Sequence, residues 1–377
     1  MKADCLYIHI PFCIKKCLYC DFFSVPYDES SAKRYSDALC IELILKKDSI
    51  NTLKTIYIGG GTPSLLLEEC LKNLFKCLRD NFNLLPDIEI TIEINPGTIN
   101  KSKLNTILSL GVNRLSIGIQ SFNDTDLIVL GRIHTSLEAK NLLEMIRKAG
   151  IHNFSIDLMY GIPGQTMDSW QNSLSKAAEF SPPHISTYEL TLEEKTPLCK
   201  LIKSGEVRMP DEELILKMYN HTIDYLSSSG YEHYEISNFA LSGFRCIHNL
   251  NYWDRGEYIG IGAGAHSFIN EVRSKNTEDI NAYIECLNNK IIPKAESTKI
   301  TPLDAVKEFI FLGLRKREGI KIAKFKELRL NILNICEDLI DEGFLEIERG
   351  YLKLTRKGIV ISNTIIVKLF GRLRLDS

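Results

Sequence analysis

The sequence predicts an α/β protein, an open (β/α)6 partial barrel followed by a small winged-helix-like α+β domain. Three observations lead there. Six short runs rich in β-branched and aromatic residues recur along the first half: LYIHI (6–10), TIYIG (55–59), EITIEI (89–94), RLSIGI (114–119), FSIDLM (154–159) and ISTYEL (185–190). Amphipathic stretches at 31–47, 66–81, 136–149 and 167–179 separate them, an alternation that argues for parallel strands joined by helices. Beyond residue 301 the pattern changes to helices and a hairpin. Six units rather than eight predict a barrel that does not close, with reactive groups collected where strands end and loops begin.

A chain of 377 residues can bury a large core and divide into two or three domains. We divide it into a barrel over 1–235, an extension and linker over 236–300 and a C-terminal domain over 301–377. With 44% hydrophobic residues and a formal net charge of -2, the composition implies neither disorder nor general nucleic-acid affinity. No apolar run reaches the roughly 18–20 residues of a membrane span. MKADC enters a strand almost at once and resembles no secretory signal, so the expected compartment is a reducing cytoplasm. Oligomeric state and contact with a membrane surface stay open.

The first strand runs straight into PFCIKKCLYCDFF, where Cys13, Cys17 and Cys20 follow a three-then-two spacing. Such thiols can converge from one tight loop on a single inorganic centre, as thiolates do on iron–sulfur clusters. A 4Fe–4S cube has four irons, so three cysteines leave one iron without a protein ligand. Structural zinc normally takes four protein ligands, and here only three cysteines are offered, with His9 on the strand. An odd count of eleven cysteines with no secretory segment argues against disulfides. The other eight (Cys5, Cys40, Cys70, Cys77, Cys199, Cys246, Cys286 and Cys336) are scattered and read mostly as small buried hydrophobes.

The later strand ends carry a matching series. Gly59-Gly60-Gly61-Thr62-Pro63-Ser64 follows the second strand, and its glycines let backbone approach a ligand or simply turn. Glu93 ends the third strand just before Asn95-Pro96. Gln120-Ser121-Phe122 follows the fourth, Arg132 lies one short segment later, and Asp157 sits in the fifth. Each polar group alone reads equally well as a satisfied structural residue. Their recurrence at one end of successive strands predicts a shared pocket.

Together these residues resemble the radical S-adenosylmethionine superfamily, through its C-x3-C-x2-C loop on a partial (β/α)6 barrel. YIHIPFC, GGGTPS, E-x-NP, GVNRLSIGIQSF, LGR and DLMYGIPGQT are similar, more narrowly, to the group of oxygen-independent coproporphyrinogen III dehydrogenase and the related heme chaperones (HemW). The likeness runs from Tyr7 to about His266. It implies a 4Fe–4S cluster on Cys13, Cys17 and Cys20 whose open iron is chelated by S-adenosylmethionine. It further implies that Gly60, Gly61 and Thr62 line the methionine end, that Tyr7, Glu93, Gln120, Arg132 and Asp157 complete the pocket, and that Tyr19 packs beside the adenine. Chemically, Arg132 suits a carboxylate fork, Glu93 an ammonium and Asp157 ribose hydroxyls.

Two departures separate this chain from the dehydrogenase. The dehydrogenase has a fourth cysteine two residues after the third, where this chain has Phe22. It also has a long N-terminal arm, where this chain has about five residues. Both departures favour the heme-chaperone side, which implies heme as ligand and heme-acceptor proteins, respiratory ones among them, as partners. Porphyrinogen decarboxylation is the alternative. The string R-C-I-H-N-L-N-Y-W (245–253) contains the H-N-x-x-Y-W associated with that side. His248 is therefore a candidate heme ligand, with Cys246 and His266 as rivals, against the reading of a packed core histidine. Tyr258 to His266 reads as a glycine-rich turn.

In the last segment the sequence predicts a helix over 304–315, a second over 332–342, two strands in FLEIERGYLKLT around Arg349-Gly350, and a helix from about Arg356. Such a winged-helix pattern often binds DNA, but NILNICEDLIDEG is acidic and would be repelled by phosphates. The expectation is a domain that covers a substrate or partner, with no nucleic acid bound.

Overall fold

The computed structural model describes residues 2–328 and 330–373. Six parallel strands form its centre: β1 (Ala3–Ile10), β2 (Ile50–Gly60), β3 (Leu84–Ile94), β4 (Arg114–Gln120), β5 (Phe154–Tyr160) and β6 (His184–Glu189). All six predicted strands are present. The crossovers are α1 (Glu29–Leu45), α2 (Glu68–Asn81), α3 (Lys101–Ser109), α4 (Ser136–Lys148) and α5 (Met167–Glu179). The sequence reading lacks α3, which buries only Leu104 and Ile107 and so carries little periodic signal.

The strands alternate because their two faces meet different surroundings. Ile56 and Ile58, Ile90 and Ile92, Leu115 and Ile117, and Ile156 and Leu158 point outward and are buried in the main core with the helices. Each such side chain contributes about 1.5–3 kcal/mol relative to exposure. The residues between them, Tyr57, Glu93, Ser116 and Asp157, face inward and line a cavity. Side-chain caps start most of the helices: Asp28 for α1, Asn100 for α3, Thr135 for α4 and Thr166 for α5.

The sheet continues past both predicted edges. Beside β6 lie the antiparallel strands β7 (Glu232–Glu235) and β8 (Asn238–Ala240), and beside β1 lies the parallel strand β9 (Ile259–Ile261). The order is β9-β1-β2-β3-β4-β5-β6-β8-β7, and the two outer strands do not pair with each other, so the barrel stays open. β9 falls inside the segment read as a turn. It is only three residues long, and Gly262 and Gly264 beyond it have φ of 109° and 74°, so turn residues hide the strand. Between β6 and β7, α6 (Glu212–Ser228) packs on α5, where Trp170 donates from Nε1 to Thr222 Oγ1 at 2.9 Å. The helix α7 (Ile247–Trp253) precedes β9.

A buried carboxylate locks β9 in place. Glu42 of α1 has no exposed surface, yet it accepts from Gly262 N–H (2.8 Å), Asn276 Nδ2 (2.7 Å) and the Tyr283 hydroxyl (2.5 Å) and pairs with Lys46 at 2.6 Å. A small antiparallel sheet, β10 (His266–Ile269), β11 (Val272–Asn276) and β12 (Lys294–Lys299), follows, with α8 (Ile280–Asn288) between its last two strands.

The C-terminal part has the winged-helix order: α9 (Pro302–Gly313), β13 (Ile320–Lys321), α10 (Ile322–Glu327), α11 (Ile332–Asp341), then the wing β14 (Leu345–Glu348) and β15 (Tyr351–Leu354). The predicted hairpin is present. Glu348 pairs with Tyr351 across a two-residue loop whose residues Arg349 and Gly350 both have positive φ, 51° and 83°, which matches the twist of the strands. Replacing Glu42 by alanine would leave the Gly262 N–H and the Tyr283 hydroxyl without their acceptor and Lys46 without its counter-charge, while Lys46 and Asn276 keep the Gly260 and Gly262 carbonyls. A loss of about 3–5 kcal/mol in urea unfolding is expected.

Candidate cofactor site

The C-terminal ends of the parallel strands open on a cavity of about 430 Å³. Every predicted site residue lines it except Tyr7 and His248. The loop after β1 carries the cysteines and is pinned by backbone bonds. Val25 and Tyr27 donate to the carbonyls of Pro11 and Cys13 at 2.7 and 2.9 Å, and Leu18 donates to Leu130 at 2.9 Å while accepting from Leu198 at 2.9 Å. At Gly131 (φ 70°) a Cβ would stand 2.7 Å from Leu18 Cγ, so the glycine of LGR lets this loop sit against the fourth crossover.

The glycine run after β2 serves the protein first. A Cβ on Gly59 would lie 2.8 Å from the Glu93 carboxylate, one on Gly60 (φ 112°) 2.4 Å from the His9 ring, and one on Gly61 2.8 Å from the Phe12 carbonyl. Gly61 and Thr62 also donate to the Ile10 and Phe12 carbonyls, both at 2.8 Å, stitching this run to the chain that leads into Cys13. The sequence reading offered a ligand cradle or a plain turn. The structure shows close packing of protein on protein, with Gly60 and Gly61 still facing the cavity.

A polar chain links two of the thiols. Thr62 Oγ1 donates to Cys13 Sγ at 3.7 Å and accepts from Asn95 Nδ2 at 3.1 Å. Asn95 Oδ1 accepts from Arg132 Nη2 at 2.7 Å, and Arg132 Nη1 donates to Cys17 Sγ at 3.6 Å. Arg132 Nη2 also reaches the Gly118 carbonyl at 2.5 Å. Both terminal nitrogens are thus engaged by protein, so the free carboxylate fork expected of Arg132 is not on offer; its buried Nε has no partner. Asn95 is the residue sequence reasoning left out of the site, although E-x-N-P contained it.

Burial pushes the Cys13 thiol up and that of Cys20 up to about 11. Free thiols here would be protonated and poor nucleophiles, whereas bound iron deprotonates a coordinating thiol outright. Among the described residues no group of three or more His, Cys, Asp or Glu side chains is arranged to hold a metal ion. A cube differs from an ion in this respect, because each thiolate meets a separate iron and the sulfurs must surround a volume. All three cysteines line the same cavity, and the donor set fits a cluster.

Deeper in, the inward residues stand in register. Glu93 pairs with Ser116, Ser116 with Ser155 and Ser155 with His184, while Gly118, Asp157 and Ser186 form the next row. Glu93 accepts from the Tyr57 hydroxyl (2.8 Å) and from Gly60 N–H (3.0 Å). Burial nevertheless raises its carboxyl to about 7. Burial also raises Asp157, against the hydroxyls of Ser116 (2.8 Å) and Ser155 (2.9 Å), which donate to it. Gln120 takes a left-handed φ of 69°, rare for a non-glycine residue, and its buried Oε1 has no partner. Tyr19 packs among Arg132, Cys17 and Cys20, and burial raises its phenol.

His248 lies toward the other end of the strands. Its Nδ1 meets Thr55 Oγ1 at 2.7 Å, its Nε2 meets the Tyr252 hydroxyl at 2.9 Å, and its ring stacks on Tyr57 at 5.2 Å. Burial lowers it to about 3. The backbone N–H groups of Ile247 and His248 donate to Glu89 at 3.0 and 2.9 Å, so β3 caps α7. Both imidazole nitrogens are taken in this conformation, which is the packed arrangement the sequence left open. Cys246 is buried too, its thiol directed at Glu89 at 3.6 Å, and His266 is exposed on β10. The Tyr7 hydroxyl bonds His9 Nδ1 at 2.9 Å.

Residues 7–177 match the Radical SAM superfamily and residues 300–361 match the HemN C-terminal domain. The chain is 35% identical to the heme chaperone HemW of Lactococcus lactis, over 97% of each chain. It is 35% identical to HemW of Bacillus subtilis (97% and 99%) and 34% identical to HemW of Escherichia coli (96% of each). The chain belongs to the HemW family of radical SAM proteins. In fold it also superimposes on coproporphyrinogen III oxidase (HemN) of Escherichia coli, with a TM-score of 0.85 over 99% of this chain and 91% of that one at 23% identity.

Within this HemW-family chain, Phe22 follows Cys20 by two residues and is 66% exposed at the cavity rim. The close approach at Gly61 yields a direct test. Gly61→Ala forces its Cβ onto backbone rather than a movable side chain, so a loss of about 1–3 kcal/mol in denaturant unfolding is expected. Iron retained after anaerobic reconstitution should fall with it.

Proposed function

We propose that this protein binds a 4Fe–4S cluster through Cys13, Cys17 and Cys20, holds S-adenosylmethionine in the adjoining cavity, binds heme and delivers it to acceptor proteins, respiratory ones among them. Membership of the radical SAM superfamily implies the first two groups, and the name of its HemW relatives supports the third. The observation that carries the reading is the Cys13–Thr62–Asn95–Arg132–Cys17 chain at the mouth of the cavity. A thiol loop held for its own sake would not need it.

The residues of the chain suit the S-adenosylmethionine role. Glu93 accepts from the ligand's amino group, Gln120 Oε1 and Arg132 Nε find partners, and Asp157 with its serines receives ribose hydroxyls. Gly60, Gly61 and Thr62 keep the wall thin at the methionine end. When bound and reduced, a cluster of this class would supply an electron to the sulfonium of S-adenosylmethionine. The protein's share is orientation and exclusion of water.

Porphyrinogen decarboxylation is the weaker reading because Phe22 stands where the dehydrogenase has its fourth cysteine. After anaerobic reconstitution, hemin should bind, and coproporphyrinogen III should pass through unchanged with S-adenosylmethionine and reductant present. Accumulation of protoporphyrinogen would reverse the choice. Cys13→Ala, Cys17→Ala and Cys20→Ala together should abolish iron and sulfide retention.

Glu93 gives the site a pH dependence. Its carboxyl sits near 7 in the free protein, and the N–H of the ligand's amino group is received best by the ionised form. Affinity for S-adenosylmethionine should therefore level off above pH 8 and fall by up to about tenfold per pH unit below 7. Glu93→Gln should bind more weakly at pH 8 and lose this slope. Equilibrium dialysis from pH 6 to 8.5 reads both.

A further inference from the structure

Three large apolar side chains stand exposed around the cavity mouth: Ile14 (55%), Phe22 (66%) and Ile133 (49%). Singly exposed apolar residues need no explanation, but three on the rim of one opening form a patch. Ile14 and Phe22 flank the cysteine loop, and Ile133 follows Arg132 on the facing segment. Two lysines share the rim. Lys16 donates from Nζ to the Phe22 carbonyl at 2.8 Å and so holds that residue outward, while the exposed Lys15 has no hydrogen bond or ion pair among the described residues.

The cavity cannot take everything the protein is proposed to bind. At about 430 Å³ it is near the lower end of the roughly 300–1,000 Å³ of ligand pockets. That is room for one nucleoside-sized ligand and not for a tetrapyrrole beside it. A flat apolar macrocycle with two carboxylates would have to lie outside, over the mouth.

We infer that heme docks across this rim, its ring face on Phe22 and Ile14 with Ile133 closing the far edge, and a propionate paired with Lys15. The inference rests on the heme-chaperone reading and gives it a place on the molecule. Flat aromatic contact and a cation at its edge match the two surfaces of the ligand, and neither needs the buried His248 to open. The rim site holds the macrocycle by its face, so metal-free protoporphyrin IX should bind there as well.

The test is titration of the reconstituted full-length protein with hemin and with protoporphyrin IX, followed by fluorescence quenching. Phe22→Ser and Ile133→Ser should each weaken both ligands by about tenfold, and Lys15→Glu by a few-fold at low salt. Leu137→Ser, 65% exposed but outside the lining, should change neither. Because Phe22 is near Cys20, iron and sulfide content and S-adenosylmethionine affinity are measured in parallel; Ile133→Ser repeats the test away from the cysteines. If the wild type binds hemin but these variants bind equally well, the rim assignment falls and the heme reading stands. Binding of hemin without protoporphyrin IX, abolished by His248→Ala, would move the site to the histidine. A wild type that binds neither ligand would remove both.

Discussion

The constraint on which the rest of this structure depends is that one face of a parallel sheet is polar. Strands buried on both faces ordinarily read as continuous apolar runs. Here Arg114, Ser116, Gly118 and Gln120 alternate with Leu115, Ile117 and Ile119, and the same beat recurs in β3 and β5. Only the outward half can drive folding by burial. The inward half must find hydrogen bonds across the barrel, because an unpaired buried polar group costs about 1–3 kcal/mol. That demand produces the serine nest around Asp157, the Tyr57 and Gly60 donors on Glu93, and the Thr62–Asn95–Arg132 chain.

Where the demand is left unmet is informative. His184 is closed off between Ser155 at 2.8 Å and the Tyr234 hydroxyl at 2.8 Å, and His248 is equally closed near the base. Gln120 Oε1 and Arg132 Nε, beside the cysteine loop, are not. Unpartnered buried atoms occur elsewhere as well, Thr91 Oγ1 of β3 and Asn238 Oδ1 of β8 among them, but those do not line the cavity. What sets Gln120 Oε1 and Arg132 Nε apart is that both residues line the cavity, and with the strained backbone of Gln120 they mark the place where a ligand is expected to complete the bonding.

Much of this could be read beforehand because period-two alternation and cysteine spacing are local signals. The six strands, four of the barrel's helices, the C-terminal helices α9 and α11, the Arg349-Gly350 hairpin and most of the cavity lining are local in this sense. What escaped reading is non-local. β9 is three residues with a glycine at its centre and another behind it, and it is held because Glu42, more than two hundred residues earlier, accepts from Gly262. Asn95 shows its role only when Thr62 and Arg132 arrive from two other strand ends. The glycines after β2 could equally have faced a ligand. Only the folded chain shows Glu93, His9 and Phe12 occupying the space their missing side chains leave.

The same geometry says how this site differs from metal centres that fold their own protein. In a zinc finger the metal supplies the folding energy, and the chain is disordered without it. Here the loop around Cys13, Cys17 and Cys20 is held by four backbone hydrogen bonds to Pro11, Cys13, Leu130 and Leu198, none of which involves sulfur. Arg132 and Asn95 are held by the Gly118 carbonyl and by Thr62 regardless of what the thiols bind. Burial keeps Cys13 and Cys20 protonated until a metal displaces the proton. The framework is therefore preformed, and cluster assembly becomes a matter of ligand exchange and proton release at a loop already in position. The backbone bonds that hold the cysteine loop do not pass through sulfur, and the loop's apolar flank and its lysines stand exposed at the surface.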